Sequence, residues 1–550
     1  MPLAINLKPP QTAPNLDHLV VNVADVPEAY QLKAPMHQRE YLVGGQMLPW
    51  AGATADVYSP IYTHTPQGPK PTLIGSYPVS GKPEAMAALA AAQTAYNHGQ
   101  GAWPTMGVAQ RIACIENFVG RMLKKKTLVV NLLMWEIGKP LADAIKEFDR
   151  TVEYIYNTID ALKELDRQGS AFKIEQGIIG QIRRSPLGVV LCMGPYNYPL
   201  NETYTMLIPA LLMGNVILFK PPRFGTLLHY PLLEDFKDCL PPGVLNTVYG
   251  RGHDVVPDLM ATGAIDVLTL IGSSKVADQL KKAHPKSNRL RAVLGLDAKN
   301  VAIVTKNADI DLAVKECVLG ALSFNGQRCT AIKMIYAHKS IADQFLQKMA
   351  DAVAQLPCGL PWTDKVALTP LPDPAKPQYL TDCVADAVQH GAKIMNAGGG
   401  TVAHSFFYPA ILYPVNRDMK LYHEEQFGPV VPVIAFDNVQ EPIDYIFNSN
   451  HGQQAAIFSQ DADELAQLID PLVNHVSRLN INAQCQRGPD TFPFTGRKDS
   501  AEGTLSVADA LRSFSIRTVV ATKDTAANKK ILNEIVQGDK SNFLSTKFIF

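Results

Sequence analysis

A cysteine preceded directly by an arginine, in Ser323-Phe-Asn-Gly-Gln-Arg-Cys-Thr330, is the residue best suited to covalent chemistry. A fixed cation beside a thiol favours thiolate over thiol, and thiolate is the nucleophile. The alternative for Cys329 is a small buried apolar residue, as most free cysteines are. The 8 cysteines (114, 192, 239, 317, 329, 358, 383 and 485) form no CxxC pair and do not cluster with histidine. They indicate neither a disulfide framework nor a metal site, and reduced thiols in a cytoplasmic protein are expected.

Two other stretches carry binding chemistry. Lys220 and Arg223, in Val216-Ile-Leu-Phe-Lys-Pro-Pro-Arg223, end a short apolar run. Dinucleotide-binding sheets usually place an acidic residue there for the adenosine ribose, whereas two cations attract a 2′-phosphate. This favours NADP over NAD unless the pair is simply solvated surface charge. Ile271 runs into Gly272-Ser-Ser-Lys275, where a glycine, serine donors and a helix start suit a pyrophosphate, although no GxGxxG is present.

These residues need elements to hold them. At 550 residues the chain has room for two or three domains. Lys+Arg and Asp+Glu balance at 51 each, which gives no reason to expect a nucleic-acid or acidic-membrane partner. With 47% hydrophobic and 19% charged residues the composition is globular, and apolar runs such as Leu187–Met193 are too short to cross a bilayer. Met1–Pro10 lacks the cationic start and apolar core of a signal peptide. The first 80 or so residues read as short β pieces, and Pro83–Leu165 as helices with apolar positions three and four apart. From Leu187 strand-like and helix-like runs alternate (Leu187–Cys192, Thr203–Met213, Val216–Phe219, Asp266–Ile271). This predicts a parallel sheet with ligands beyond its carboxyl ends. A second alternating region starts at Lys299 and includes Asp309–Ser323, Ile332–Tyr336, Ile341–Leu356, Val431–Phe436 and Arg478–Ala483.

Gly194-Pro-Tyr-Asn-Tyr-Pro199, Phe219-Lys-Pro-Pro222, Gly272-Ser-Ser274, Gly326-Gln-Arg-Cys-Thr330 and Glu424-Glu-Gln-Phe-Gly-Pro-Val430 occur in a telling order. From about residue 40 to about 520 the chain resembles the aldehyde dehydrogenase superfamily. Trp135-Glu-Ile-Gly-Lys139, Arg150-Thr-Val-Glu153 and Gln486-Arg-Gly-Pro-Asp490 make it most similar to non-phosphorylating, NADP-dependent glyceraldehyde-3-phosphate dehydrogenases. The resemblance implies an α/β fold with a Rossmann-type cofactor domain (1–164 and 186–296) and an α/β catalytic domain (297–494). It also implies a small β oligomerisation arm (165–185 and 495–522), leaving a tail (523–550) that either docks on a neighbouring subunit or frays. A homodimer or homotetramer would follow.

By resemblance, Cys329 attacks the aldehyde carbon, and Asn197 with the Cys329 N–H stabilises the oxyanion. Glu425 holds the nicotinamide ribose. Tyr196, Lys220, Pro222, Arg223, Gly272, Ser273 and Leu296 contact NADP, with Arg223 standing where NAD-preferring relatives carry glutamate. Arg150, Tyr198, Arg328 and Arg487 would hold the phosphate of a small aldehyde, D-glyceraldehyde 3-phosphate, which is oxidised to 3-phosphoglycerate. Each arginine has an ion-pairing alternative, Arg150 with Glu147 and Glu153 on its own helix. One departure matters: the family's Glu-Leu-Gly-Gly-Lys reads Gly295-Leu-Asp-Ala-Lys299, so its general base falls on a glycine. Either Glu425, Glu424 or Asp297 serves instead, or the thioester passes to coenzyme A, or the chain is a binding or structural homologue without catalysis.

Overall fold

The computed structural model describes residues 14–549, so Met1–Pro10 and the last residue, Phe550, lie outside the described part. Five parallel strands form the first sheet in the order Leu245–Thr247, Val216–Lys220, Val189–Met193, Val267–Ile271, Arg291–Gly295, with Ala501–Glu502 added antiparallel at the edge. Chain order reverses between Val189–Met193 and Val267–Ile271, which opens a crevice at the carboxyl ends of those two strands. Val190, Cys192, Ile217 and Phe219 enter one core, while Val189, Leu191, Val216 and Leu218 enter another. Both faces are buried, which is why these strands read as continuous apolar runs.

The second sheet runs Lys393–Ile394, Ala410–Tyr413, Val430–Phe436, Ile332–His338, Asn300–Val304, Gln454–Phe458, Arg478–Ile481, parallel except at its first edge. It too is covered on both faces, with Val304, Ile335 and Val433 on one side and Ile303, Met334 and Ile457 on the other. It presents the opposite end to the site: Lys299, Cys329, Glu425 and Gln453 all lie just before strands. The cleft is therefore built between carboxyl ends of the first sheet and amino ends of the second.

The helical region is as the periodicity predicts, and its last helix, Leu141–Gly169, continues past the residue-165 boundary. The segments expected to form the arm hold a three-stranded sheet. Its three strands are Phe172–Glu175, Ile178–Pro186 and Ser515–Lys523. Residues 495–514 serve elsewhere: Ala501–Glu502 extends the first sheet, and Ala510 and Leu511 of the helix Val507–Ser513 are buried. The arm exposes Ile174, Ile178, Ile516, Val519 and Val520. In the tail, the helix Ala526–Gln537 is followed by residues that lie back on their own chain, where Gln181 and Arg183 donate to the carbonyl of Ser545. No described helix is long and apolar enough to cross a membrane.

Candidate active site

All the sequence-derived site residues line one cavity of ≈ 820 Å³: Arg150, Tyr196, Asn197, Tyr198, Lys220, Pro222, Arg223, Gly272, Ser273, Leu296, Arg328, Cys329, Glu425 and Arg487. Gly295 and Asp297 line it as well.

The nucleophile loop is held in an uncommon conformation. Phe324, Asn325 and Gly326 have φ of 50°, 55° and 69°, a left-handed run that costs energy at non-glycine positions and persists only where surroundings fix it. Asn325 supplies the fixing, donating to Thr369 Oγ1 (3.2 Å) and accepting from the Thr369 N–H (3.0 Å). A Cβ on Gly326 would lie 2.7 Å from the carbonyl oxygens of Ala321 and Gly428, so only glycine fits. Beyond the loop, the carbonyl of Cys329 accepts from Asn300 Nδ2 (2.8 Å) and Lys333 Nζ (2.9 Å).

The cation that matters most to the thiol is Lys333 rather than Arg328. Burial raises the Cys329 pKa; Lys333 lowers it most, Glu425 raises it, and a Gln453 hydrogen bond and Arg328 lower it by less. Arg328 spends Nη2 on the carbonyls of Leu319 (3.1 Å) and Gly320 (2.9 Å), while its Nε is buried and unpartnered. Lys333, an ammonium within an otherwise apolar strand, pairs with Glu425 at 2.7 Å.

Asn197 Nδ2 donates to the carbonyl of Gln327 (2.8 Å), which leaves its second N–H for the cleft. Its main-chain carbonyl accepts from Lys139 Nζ at 2.7 Å. Lys139 is fully buried, pairs with Glu147 and lies 3.6 Å from the centre of the Tyr198 ring. Glu147 Oε1 in turn accepts the N–H groups of Leu200 and Asn201, at the start of the helix Asn201–Leu212. Among the described residues, the Cys329 N–H has no backbone acceptor. Together with Asn197 it forms a pair of donors suited to an oxyanion.

At the other end, Lys220 Nζ is buried with one weak contact, the Pro221 carbonyl at 3.4 Å, and burial lowers its pKa to about 8. A buried ammonium without an anion calls for one from a ligand. Arg223 is exposed, stacks at 5.0 Å on Phe224, and has no ion-pair partner among the described residues. Glu136, buried and pushed up to about 7 by burial, accepts the N–H groups of Leu227 and Leu228 and fixes the segment that follows. With the Gly272–Ser273 turn, these residues fit a nicotinamide dinucleotide.

The phosphate-ligand candidates are partly engaged. Arg150 makes a bidentate pair with Asp490 (2.8 and 2.6 Å), and buried Arg487 pairs with Glu202 and with Asp490 (3.2 Å). Two guanidiniums thus face two carboxylates. The Glu147 and Glu153 alternatives for Arg150 give way to Asp490, which lies 340 residues away in sequence.

The position of the expected base is a plain gap. Gly295 ends its strand, and a Cβ there would meet Ile271 Cγ1 at 3.3 Å and Leu505 Cδ1 at 3.7 Å. Asp297 is occupied as acceptor for Ser274 N–H (2.7 Å) and Oγ (2.8 Å). Glu424 accepts from the Tyr379 hydroxyl (3.2 Å) and is absent from the cavity wall. Of the three candidates, Glu425 alone both lines the cleft and acts electrostatically on the thiol.

The nucleophile loop, the two-donor oxyanion site and the dinucleotide end define an aldehyde-oxidising class of site. The aldehyde dehydrogenase family model matches residues 55–520, and the chain belongs to that family. It is 32% identical over 460 residues to an NADP-dependent glyceraldehyde-3-phosphate dehydrogenase of Streptococcus equinus, covering 82% of this chain and 92% of that protein. A Nicotiana plumbaginifolia protein of the same description is 29% identical over 435 residues, covering 78% and 86%. Among solved structures, the NADP-dependent glyceraldehyde-3-phosphate dehydrogenase from Bacillus halodurans complexed with NADP superposes with a TM-score of 0.81. It has 29% identity, with 89% of this chain and all of that one covered. Lactaldehyde dehydrogenase from Escherichia coli superposes at 0.80 with 27% identity, covering 89% of this chain and 100% of that one.

Proposed function

We propose that this protein oxidises D-glyceraldehyde 3-phosphate to 3-phosphoglycerate with NADP. The observation that carries the phosphate is Arg328: it lines a cleft shared with Arg150, Tyr198 and Arg487, and its buried Nε has no partner. An orphaned guanidinium donor costs free energy until an acceptor arrives, and phosphate oxygens suit it. The relatives named for that activity support the same reading. Lys220 and Arg223 support NADP rather than NAD, since neither has a carboxylate partner among the described residues.

In this reading the Cys329 thiolate attacks the aldehyde carbon while Asn197 and the Cys329 N–H take the charge that develops on oxygen. When bound, the dinucleotide supplies the hydride acceptor. Lys333 steadies both the thiolate and Glu425, and Glu425 activates water to release the acyl group. Gly295 favours a second reading, in which no local base is needed because the thioester passes to coenzyme A. The exposed apolar residues of the arm fit a second copy, giving a homodimer or homotetramer.

Comparison of glyceraldehyde 3-phosphate with D-glyceraldehyde tests the substrate. The expectation is a kcat/KM about 10²-fold or more in favour of the phosphorylated aldehyde, since an unfilled buried polar site rejects the analogue. Equal values would remove the phosphate from the proposal.

A further inference from the structure

A second cavity of ≈ 680 Å³ opens beside the catalytic sheet, with Tyr422, His423, Tyr445 and His451 in its wall. A third, of ≈ 10 Å³, adjoins it. It shares Tyr445, Ser449 and His451 with the larger cavity, and Lys299 and Gln453 also line it. That is room for about one water, and the surroundings are polar. His451 Nδ1 is buried with no partner. Lys299 Nζ spends two of its three protons on the Glu424 carbonyl and Gln426 Oε1, both at 2.7 Å, one residue to either side of Glu425. Gln453 reaches the thiol of Cys329 from the same place.

If the chain oxidises an aldehyde with a dinucleotide, as read above, proton balance makes this arrangement significant. Aldehyde, oxidised dinucleotide and water give carboxylate, reduced dinucleotide and two protons. The first leaves when the S–H bond of Cys329 breaks and the S–C bond forms. In deacylation, water gives its hydroxyl to the acyl carbon and a proton to sulfur, and the resulting acid ionises to release the second. With glycine at 295, these protons need another way out of the cleft.

We propose that Glu425, Lys299, one water and His451 form the proton passage from Cys329 to the second cavity and on to solvent. Along it, Lys299 is brought close to neutrality. Burial, reinforced by Lys333, lowers the Lys299 pKa to about 7, with Glu425 opposing. Burial lowers the His451 imidazole, Glu425 and Asp297 raise it, and Lys299 and Lys333 lower it. Across the strand pair, Lys498 faces His451 but is held by the carbonyls of Ile446, Phe447 and Ser449. From the outer cavity Arg417, His423, Glu441 and Asp444 face it. Donor and acceptor of similar acidity transfer protons most readily.

The test is chemical rescue. In a single turnover of His451→Ala, proton release is followed with a pH-indicator dye beside formation of reduced dinucleotide. Release is expected to slow about 10-fold or more and to recover on adding imidazole, which the enlarged cavity admits. Unchanged release, or slow release that imidazole does not restore, overturns the passage. A second readout uses the enzyme without dinucleotide: the pH profile of Cys329 alkylation by iodoacetamide is expected to match wild type. A shifted profile would also overturn the passage, because His451 would then act on the thiol's equilibrium. Runs with both glyceraldehyde 3-phosphate and D-glyceraldehyde separate the two ideas. Loss of phosphate preference with rescue retained counts against the substrate alone.

Discussion

Lys333 Nζ stands 2.7 Å from Glu425 Oε1 and also donates to the carbonyls of Arg328 and Cys329, both at 2.9 Å. One ammonium thereby ties the backbone of the nucleophile to the carboxylate proposed as its base. Replacing it by methionine removes the largest charge that lowers the thiol pKa, so Cys329 alkylation should shift to higher pH. It also strands a partly buried Glu425, a loss of about 3–5 kcal/mol for a buried pair. Thiol alkylation against pH, beside a thermal melt, reads both effects.

Gly295→Glu is expected to leave the first burst of reduced dinucleotide unchanged and to raise steady-state turnover. Its Cβ asks Ile271 to move by only a few tenths of an ångström, and the new carboxylate would act on the deacylating water. Burst kinetics separate acylation from deacylation. A gain confined to the steady state is the expected outcome.

Much of the site was legible in sequence because contiguous motifs mark it: the loops after Met193, Lys220 and Ile271 and the Arg328–Cys329 pair all line one cleft. Groups whose partners are distant in sequence carry no such mark. Asp490 pairs with Arg150 across 340 residues and Glu202 with Arg487 across 285, and nothing near the arginines announces these two contacts, although Asp490 also stands three residues after Arg487. Lys139 holds Asn197, and Gln453 reaches Cys329, each through long-range contacts. Lys333 did carry a signal, since a lone cation in Ala331-Ile-Lys-Met-Ile-Tyr336 must find a buried partner. Ala501–Glu502 and the helix Val507–Ser513 join elements far away in sequence, which nothing in residues 495–522 announces.

Asn197→Ala should lower kcat by about 10²–10³-fold, the usual effect of removing an oxyanion donor. Little change in KM is expected, because the second N–H acts on charge that appears only in the transition state. Steady-state kinetics at saturating cofactor check this.

Arg223→Glu should raise the KM for NADP by about 10-fold or more and leave NAD less affected, since it replaces a charge-assisted phosphate contact by repulsion. Paired titrations with the two dinucleotides measure the switch.

Stability should rise with pH above neutrality. Lys299 titrates at about 7 in the fold and at its ordinary value, 10.5, when unfolded. Between those values the unfolded chain binds the extra proton, so raising pH favours the native state. Lys220, lowered to about 8, acts in the same direction. Lys299→Met should flatten the pH dependence of Tm between about 7 and 10.

The most direct measurement is the product of glyceraldehyde 3-phosphate oxidation by this protein with NADP, with and without coenzyme A. One 3-phosphoglycerate per NADPH is expected from water alone, with coenzyme A making no difference and Cys329→Ala abolishing both products. NADPH formation that stops after one equivalent per site until coenzyme A is added, and then yields an acyl-coenzyme A, would contradict this expectation.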